Sequence, residues 1–427
     1  MSIKNQIKFS ALPSKNIVWI GSEDEIAFDS QDIKSKLLNL DKACYFVKKN
    51  NLIGVTNEGD LDTCNNAQSQ GIETLTATYP LLPQQLGDSS FLDFHKVKYP
   101  YMTGAMAHGI ASEELVIALG KENILSSFGA AGLIPNRIEK AIHNIQNALH
   151  NKPYCFNLIH SPSESAIEKA TVDLYLKFGV TTVEASAFLY LTPNIVYYRA
   201  VGLNLNSENQ IEIKNKVIAK ISRRDVAKKF LEPAPEKILK QLVSQGLITE
   251  LQARLASQVP MADDITVEAD SGGHTDNRPL VCLLPSIIAL RDEIQAKYDY
   301  ETPVRVGAAG GIATPQSALA AFMMGAAYVV TGSINQSSLE AAASEHTKKL
   351  LAQAEMTDVM MAPAADMFEM GVKLQVLKRG TMFGMRSQKL FDFYTNYNSI
   401  EEIPKLEREK LEKQIFKRSL ELAWQDT

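Results

Sequence analysis

From about Pro100 onward, short apolar runs recur along the chain, each followed by a turn of small residues and then an amphipathic segment. Eight runs fit this rhythm: Tyr101–Gly104, Ile124–Ser127, Tyr154–Leu158, Val180–Glu184, Val217–Ile221, Ile265–Ala269, Val304–Gly307 and Tyr328–Thr331. They are apolar on both faces, as expected of parallel strands covered by helices. The segments between them carry helix signals. "NRIEKAIHNIQNAL" sets Ile138, Ile142, Ile145 and Leu149 on one stripe, with Asn136 and Glu139 spaced as a capping box. "SPSESAIEKATVDLYLKFG" offers Ser161 as cap, Pro162 at the first helical position, Glu164 three residues on and Gly179 as stop. "TPQSALAAFMMG" repeats the arrangement with Thr314, Pro315 and Gly325. Strand–helix alternation of this kind, with right-handed crossovers, predicts an α/β fold: a (β/α)8 TIM barrel over residues 96–355.

Three stretches fall outside the repeat. Residues 1–95 hold short apolar runs ("IVWI", "ACYFVKK", "NLIGVT") and read as a small N-terminal α/β appendage. Residues 223–262, rich in Lys, Glu and Gln, read as a helical insertion between the fifth and sixth strands. Residues 356–427 read as a helical C-terminal extension with a methionine-rich start, "EMTDVMMAPAADMFEMGVKLQ". Methionine packs adaptably, which suits a lid over an apolar substrate, core packing or a dimer contact.

Composition narrows the function classes. With 427 residues, 45% hydrophobic and 22% charged, the chain is an ordinary globular one. Its net charge of −5 is spread along the sequence, which disfavours nucleic acid as a partner. No apolar run approaches the roughly 18 residues of a membrane span. The opening "MSIKNQIKFSALPSKN" lacks the apolar stretch of a signal peptide, so the expected location is cytoplasmic. Cys44, Cys64, Cys155 and Cys282 lie far apart without CxxC spacing, which argues for packing rather than a metal site or disulfides.

In such barrels the chemistry sits at the C-terminal strand ends. Here those ends read "TGAMAHG", "SFGAAG", "FNLIHS", "VEASA", "AKISR", "DSGGHTDN", "GAAGGIATP" and "TGSIN". Most are small residues, and the His, Asp and Glu set of a metal-dependent hydrolase is missing. Glycine, alanine and serine suit backbone contacts to a large cofactor. "GAAGGIATP" and "TGSIN", after strands seven and eight, occupy the usual phosphate-binding positions of this fold, where amides and a helix start hold a dianion. The alternative is that the glycines only make tight turns. Asn157, Glu184 and Lys220 are polar groups on otherwise apolar runs and would be costly to bury unpaired. Lys220 could stabilise charge on a reduced flavin or pair with Glu184. His274 follows Gly272–Gly273 directly and is the candidate acid or carbonyl hydrogen-bond donor, since imidazole titrates near neutral pH. The alternative is a ring that only shapes the pocket. His108 is a second, more structural candidate.

Several long motifs carry a family resemblance: "TGAMAHGIAS", "FNL", "VIAKISRRDVAKKFLEPAP", "VPMADDITVEADSGGHTDNRPL", "VGAAGGIATPQSALAAFMMGAAYVVTGSINQ" and "VLKRGTMFGMRSQKLFDFY". Together they resemble the PfaD family, FMN-dependent trans-acting enoyl reductases of polyunsaturated fatty acid synthases and of polyketide synthases with free-standing acyltransferases. More distantly the barrel is similar to nitronate monooxygenases. The resemblance implies backbone contacts to FMN from Gly104, Ala105 and Met106, further contacts from Asn157, Lys220, Gly272 and Gly273, and a phosphate site at Gly310, Gly311, Thr331, Gly332 and Ser333. It places His274 on the histidine after paired glycines, and no metal is implied. The distant relatives read Glu-Ala-Gly-Gly-His where this chain has Asp270-Ser271-Gly272-Gly273-His274. Roles for Asp270, Asp276 and Asn277 therefore do not transfer.

The implied reaction is a hydride relay from NADPH through FMN to the 2,3-double bond of an enoyl thioester on an acyl carrier protein. The run "ISRRDVAKKF", with Arg223, Arg224, Lys228 and Lys229, is a candidate docking surface for that acidic partner or simply a solvated helix face. Rival readings are a nitronate-oxidising flavoenzyme, a non-catalytic flavin-holding component of a synthase and a phosphosugar enzyme.

Overall fold

The computed structural model describes residues 17–63, 71–161 and 165–425. The chain divides into two compact units after Gln85. In the first, β1 (Ile17–Ile20), β2 (Cys44–Lys49), β3 (Leu52–Thr56), β4 (Asp60–Thr63) and β5 (Ile72–Thr78) form an antiparallel sheet in the order β3-β2-β5-β1-β4. Helix α1 (Ser30–Leu38) starts where the Asp29 carboxylate accepts from the Gln31 and Asp32 amides. Trp19, Ile26 and Val47 make its small core, and the Trp19 indole donates to the Glu58 carbonyl at 2.8 Å.

The second unit opens with α2 (Ser89–His95), a helix the sequence reading groups with the appendage. The predicted barrel strands all form: β6 (Tyr101–Thr103), β7 (Leu125–Phe128), β8 (Cys155–Ile159), β9 (Thr182–Ser186), then a small hairpin, β10 (Leu203–Leu205) and β11 (Ile211–Ile213), followed by β12 (Lys216–Ile221) and β13 (Asp264–Glu268). After the two-residue β14 (Gly273–His274) come β15 (Arg305–Ala309) and β16 (Val329–Thr331). The strands β12-β13-β15-β16-β6-β7-β8-β9 pair in parallel and close into a cylinder. Connecting helices are α3 (Glu113–Lys121), α4 (Pro135–Leu149), α5 (Ser165–Lys177), α6 (Pro193–Val201), α10 (Leu280–Tyr298) and α11 (Pro315–Met323). Between β12 and β13 lie α7 (Arg224–Leu231), α8 (Glu236–Ser244) and α9 (Glu250–Ala256), the helical insertion.

Strand alternation explains the core. Outward residues such as Phe156, Leu158, Val183, Val217, Ile265 and Val306 pack against the helices, including the buried Ile138, Ile142, Ile145 and Leu149 stripe. Inward residues Met102, Leu125, Cys155 and Ile218 fill the cylinder together with Tyr328 and Phe91. Phe91 of α2 stacks on Tyr328 at 4.3 Å, so α2 plugs the N-terminal end of the barrel. There the Asp264 carboxylate accepts from Arg305 at 2.6 and 3.0 Å and lies 2.7 Å from His95 Nε2, all three buried.

Two local readings change. Helix α4 starts at Pro135 with Ile134 at its cap and no side-chain cap, so Asn136 is already inside the helix and caps nothing. Proline preset at the first position fixes the start one residue earlier. The extension after α12 (Glu345–Ala352) begins with a short 3-10 turn (Met356–Asp358) and the strands β17 (Val359–Pro363) and β18 (Lys373–Leu377), separated by a second 3-10 segment (Ala365–Met370), and becomes α-helical only from α13 (Phe383–Asn396) through α14 (Lys405–Leu411) and α15 (Leu420–Gln425). β17 and β18 pair with each other over five positions and β14 adds two more at the edge of β18, so cross-strand pairing outweighs helix preference here. Pro162, Glu164 and Cys64 lie outside the described residues. Thr314 caps α11 as expected, with Pro315 at the first position.

Candidate functional site

Because side chains alternate along a strand, the inward set reaches the barrel mouth at Asn157 (β8), Glu184 (β9), Lys220 (β12) and Glu268 (β13). They form a polar floor. The Asn157 amide donates to the Glu184 carbonyl at 3.1 Å and to Ser186 Oγ at 2.9 Å. Glu184 is fully buried, and its Oε2 accepts from the Ala105 amide at 2.8 Å. Lys220 pairs with Glu268 at 3.0 Å, rather than with Glu184. Burial pulls the Lys220 pKa down, but Glu268 and Glu184 overcome it and hold the ammonium above its usual value. The lysine is therefore cationic throughout the working pH range. Glu268 and Ser186 are floor residues the sequence reading missed, although counting two residues on from Thr266 and from Glu184 along their strands would have found both.

Above the floor, the loops after β13, β15 and β16 converge. A Cβ on Gly272 would lie 2.6 Å from Ser333 Oγ, and one on Gly310 would lie 2.7 Å from the Asp270 carbonyl. Gly310 also has a φ of +89°, a conformation that L side chains rarely adopt. Gly311 and Gly332 face open space. Gly272, Gly310, Gly311 and Gly332, with Ser333, thus leave the facing parts of these loops as bare main chain. The start of α11 contributes less than expected: Ser317 Oγ already accepts from the Ala313 and Thr314 amides, and Thr314 Oγ1 from the Ser317 amide. Thr331 Oγ1 is likewise engaged, by the Tyr101 hydroxyl at 2.8 Å and the Asn335 amide at 2.9 Å. In the first loop, the Gly104 amide donates to the Thr331 carbonyl, and the Met106 carbonyl accepts from Ala111. These contacts draw the three residues into the rim of the same mouth.

His274 stands on β14, beside Gly273 and paired across to Leu374. His108 is exposed and has a φ of +57°. A Cβ on Gly132 would meet its ring at 2.3 Å, so this imidazole packs against the second-loop glycine. The basic run is largely committed to neighbours: Arg223 pairs with Asp225 at 2.9 Å, Arg224 with Glu293 at 3.7 Å, and Lys229 donates to the Leu189 carbonyl at 2.7 Å. Two buried polar atoms near the mouth, Glu184 Oε1 and Ser271 Oγ, have no hydrogen-bond partner among the described residues. Unsatisfied groups of this kind call for an additional partner. With the side-chain-free rim, they fit a flat, phosphate-bearing cofactor. Among the described residues no cluster of three or more His, Cys, Asp or Glu is placed to hold a metal, and no helix is long and apolar enough to cross a membrane.

Residues 88–384 match the nitronate monooxygenase family, and residues 19–80 match the N-terminal domain of the fatty acid synthase component PfaD. The enoyl reductase domain of MlnA, from the macrolactin biosynthesis cluster of Bacillus amyloliquefaciens, superposes with a TM-score of 0.77. It is 40% identical and covers 80% of this chain and 78% of its own. The chain belongs to the PfaD family, on a nitronate monooxygenase-like barrel. PfaD relatives include a polyunsaturated fatty acid synthase polypeptide of Thraustochytrium sp., 51% identical over 82% of this chain, and the polyketide biosynthesis protein PksE of Bacillus subtilis, 46% identical over 80%. The PfaD-type chain spans 24% of the first and 45% of the second. Its residues 397–427 also match the inserted helical domain of acyl-carrier-protein S-malonyltransferase.

Proposed function

We propose that this chain is an FMN-dependent enoyl reductase. It would use NADPH to saturate the 2,3-double bond of acyl thioesters presented by an acyl carrier protein, acting in trans within fatty acid or polyketide synthesis. The observation that carries this reading is the convergence of the Gly272, Gly310–Gly311 and Gly332–Ser333 loops over a floor of Asn157, Glu184, Lys220 and Glu268. The likeness to an enoyl reductase domain supports it.

Amides of Gly310, Gly311, Gly332 and Ser333 would hold the phosphate, and Gly272 and Gly273 would admit the ring edge. A flavin held there supplies hydride transfer between nicotinamide and the alkene. Lys220, kept charged by its two carboxylates, opposes negative charge at the ring edge. Glu184 keeps the first loop in place through the Ala105 amide. His274 would deliver a proton to the α-carbon or polarise the thioester carbonyl. The loops around the mouth exclude water and orient the chain.

The test is an anaerobic titration. Protein loaded with FMN should bleach at 450 nm or thereabouts with NADPH and recover on addition of crotonyl thioester. Material that neither retains nor takes up FMN would remove the reading. Rapid reoxidation by oxygen with a nitronate, and none by the thioester, would favour the monooxygenase reading that the barrel family raises.

Arg223 and Arg224 are matched by acidic neighbours, so Lys228 and Lys229 would carry the attraction for an acidic carrier protein. Lys228→Glu with Lys229→Glu should raise KM for carrier-bound substrate several-fold, roughly as one lost exposed charge contact does. KM for a small thioester mimic should not change. Equal changes in both would remove the docking role.

A further inference from the structure

We propose that the C-terminal extension is a working part of the site. In this proposal, which rests on the reductase reading, Gln375 of β18 is a positioning residue that holds the loop of His274 over the mouth. The loop needs an external support. Residues 270–278 include paired glycines and hardly any apolar anchor, and Asn277 has a φ of +53°. Within the loop, the Asp270 amide donates to the Arg278 carbonyl at 2.8 Å, and Thr275 Oγ1 donates to the Ala269 carbonyl at 3.2 Å. These bonds close its base but do not steady the Gly273–His274 segment.

That segment is steadied from the far end of the chain. Gly273 pairs with Gln375 and His274 with Leu374, as a short antiparallel ladder. The Gln375 side chain then reaches back: its amide donates to Asp270 Oδ1 at 2.8 Å, and the Asn277 amide donates to the same oxygen at 2.7 Å. One carboxylate oxygen therefore ties both ends of the loop to the strand of the extension. The strand is itself fixed. β17 pairs with β18 over its whole length, Ser387 of α13 donates to the Pro363 carbonyl, and Gly384 leaves room for the Met360 thioether, which a Cβ there would meet at 2.5 Å. This accounts for part of the methionine-rich run. The physical consequence is that the imidazole is placed by contacts more than one hundred positions away in sequence, between residues 270 and 375.

The test uses the full chain with Gln375→Leu, Asp270→Ala, their double variant and Asp270→Asn. The last keeps an oxygen that can accept both amides. In protein without added flavin, hydrogen exchange of the amides of residues 271–277 should speed up about five-fold in Gln375→Leu, as loss of one net hydrogen bond allows, and by more in Asp270→Ala, which loses two. Asp270→Asn should stay near wild type. In flavin-loaded protein, the rate of reoxidation by enoyl thioester should fall about five-fold in Gln375→Leu and by more in Asp270→Ala, with the double variant no slower than Asp270→Ala. Reduction by NADPH should be unchanged. Unaltered loop exchange in Gln375→Leu, or additive losses in the double variant, would overturn the proposal. Faster loop exchange in a protein that reduces no enoyl thioester even as wild type would keep the clamp and remove the reductase reading.

Discussion

His274→Ala is expected to retain FMN and its reduction by NADPH, yet to transfer hydride to enoyl thioester on the order of 10²–10³ times more slowly. The separation follows from position. The proposed phosphate cradle is main chain of Gly310, Gly311, Gly332 and Ser333, and the floor is Asn157, Glu184, Lys220 and Glu268, so truncating an imidazole on β14 would remove nothing proposed to grip the cofactor. What it would remove is an imidazole proposed to lie beside the substrate face. Stopped-flow measurement of each half-reaction reads the two effects apart. His274→Gln sharpens the outcome, because an amide can polarise a carbonyl but cannot deliver a proton. If Gln restores most of the rate, the ring acts as a hydrogen-bond donor; if it matches Ala, the ring acts as an acid. A full rate in the Ala variant would dismiss both roles.

The second large effect lies at the opposite end of the barrel. Asp264→Ala should lower stability by about 3–5 kcal/mol, because it leaves the Arg305 guanidinium buried without its carboxylate partner. The melting temperature should fall on the order of 10 °C. Arg305 would keep its position over the Phe94 ring, 4.4 Å away, and the more distant charge of Asp263. Burial alone would raise the Asp264 pKa, but Arg305 and His95 outweigh it and bring the carboxyl from the usual 3.8 to about 2. Burial conversely lowers the His95 pKa from its usual 6.5, against the pull of Asp264. Both folded-state values lie below the unfolded ones, so the unfolded chain binds more protons in acid. The Asp264 contribution is fully present above about pH 4 and disappears as the pH falls through about 2. The His95 contribution starts to fall below about pH 6.5. Melting curves from pH 7 to 2 should therefore slope downward in acid, and below about pH 4 the slope should be shallower in Asp264→Ala. Equal slopes would show that the cluster does not govern acid stability.

Much of the arrangement was legible without coordinates. The eight barrel strands could be read because buried parallel strands are apolar on both faces and their turns demand small residues. Thr314–Pro315 announced α11 because capping chemistry is local. The paired glycines before His274 and the two glycine loops at the last strand ends marked the mouth for the same reason: close approach of main chain requires the missing side chain, wherever the chain goes next.

Other features had no local signal. Lys220 stands on a strand flanked by β9 and β13, each bringing a carboxylate, and sequence offered no way to choose between Glu184 and Glu268. His95 reads as part of the N-terminal appendage until α2 is seen plugging the barrel against Tyr328 and Asp264. The methionine-rich extension looks helical, yet β17 and β18 pair with each other along their length and with β14 at the edge of β18.

The sequence by itself determined the cylinder, its handed succession of strands and helices, and the bare rim where a phosphate-bearing cofactor would rest, since periodicity, caps and glycines act within a few residues of one another. Only the tertiary structure decided which carboxylate holds Lys220, what seals the lower end and which strand carries the loop of His274. Those outcomes depend on pairs of groups far apart in the chain, whose hydrogen bonds and charges are worth little until closure of the barrel brings them together and removes the water between them.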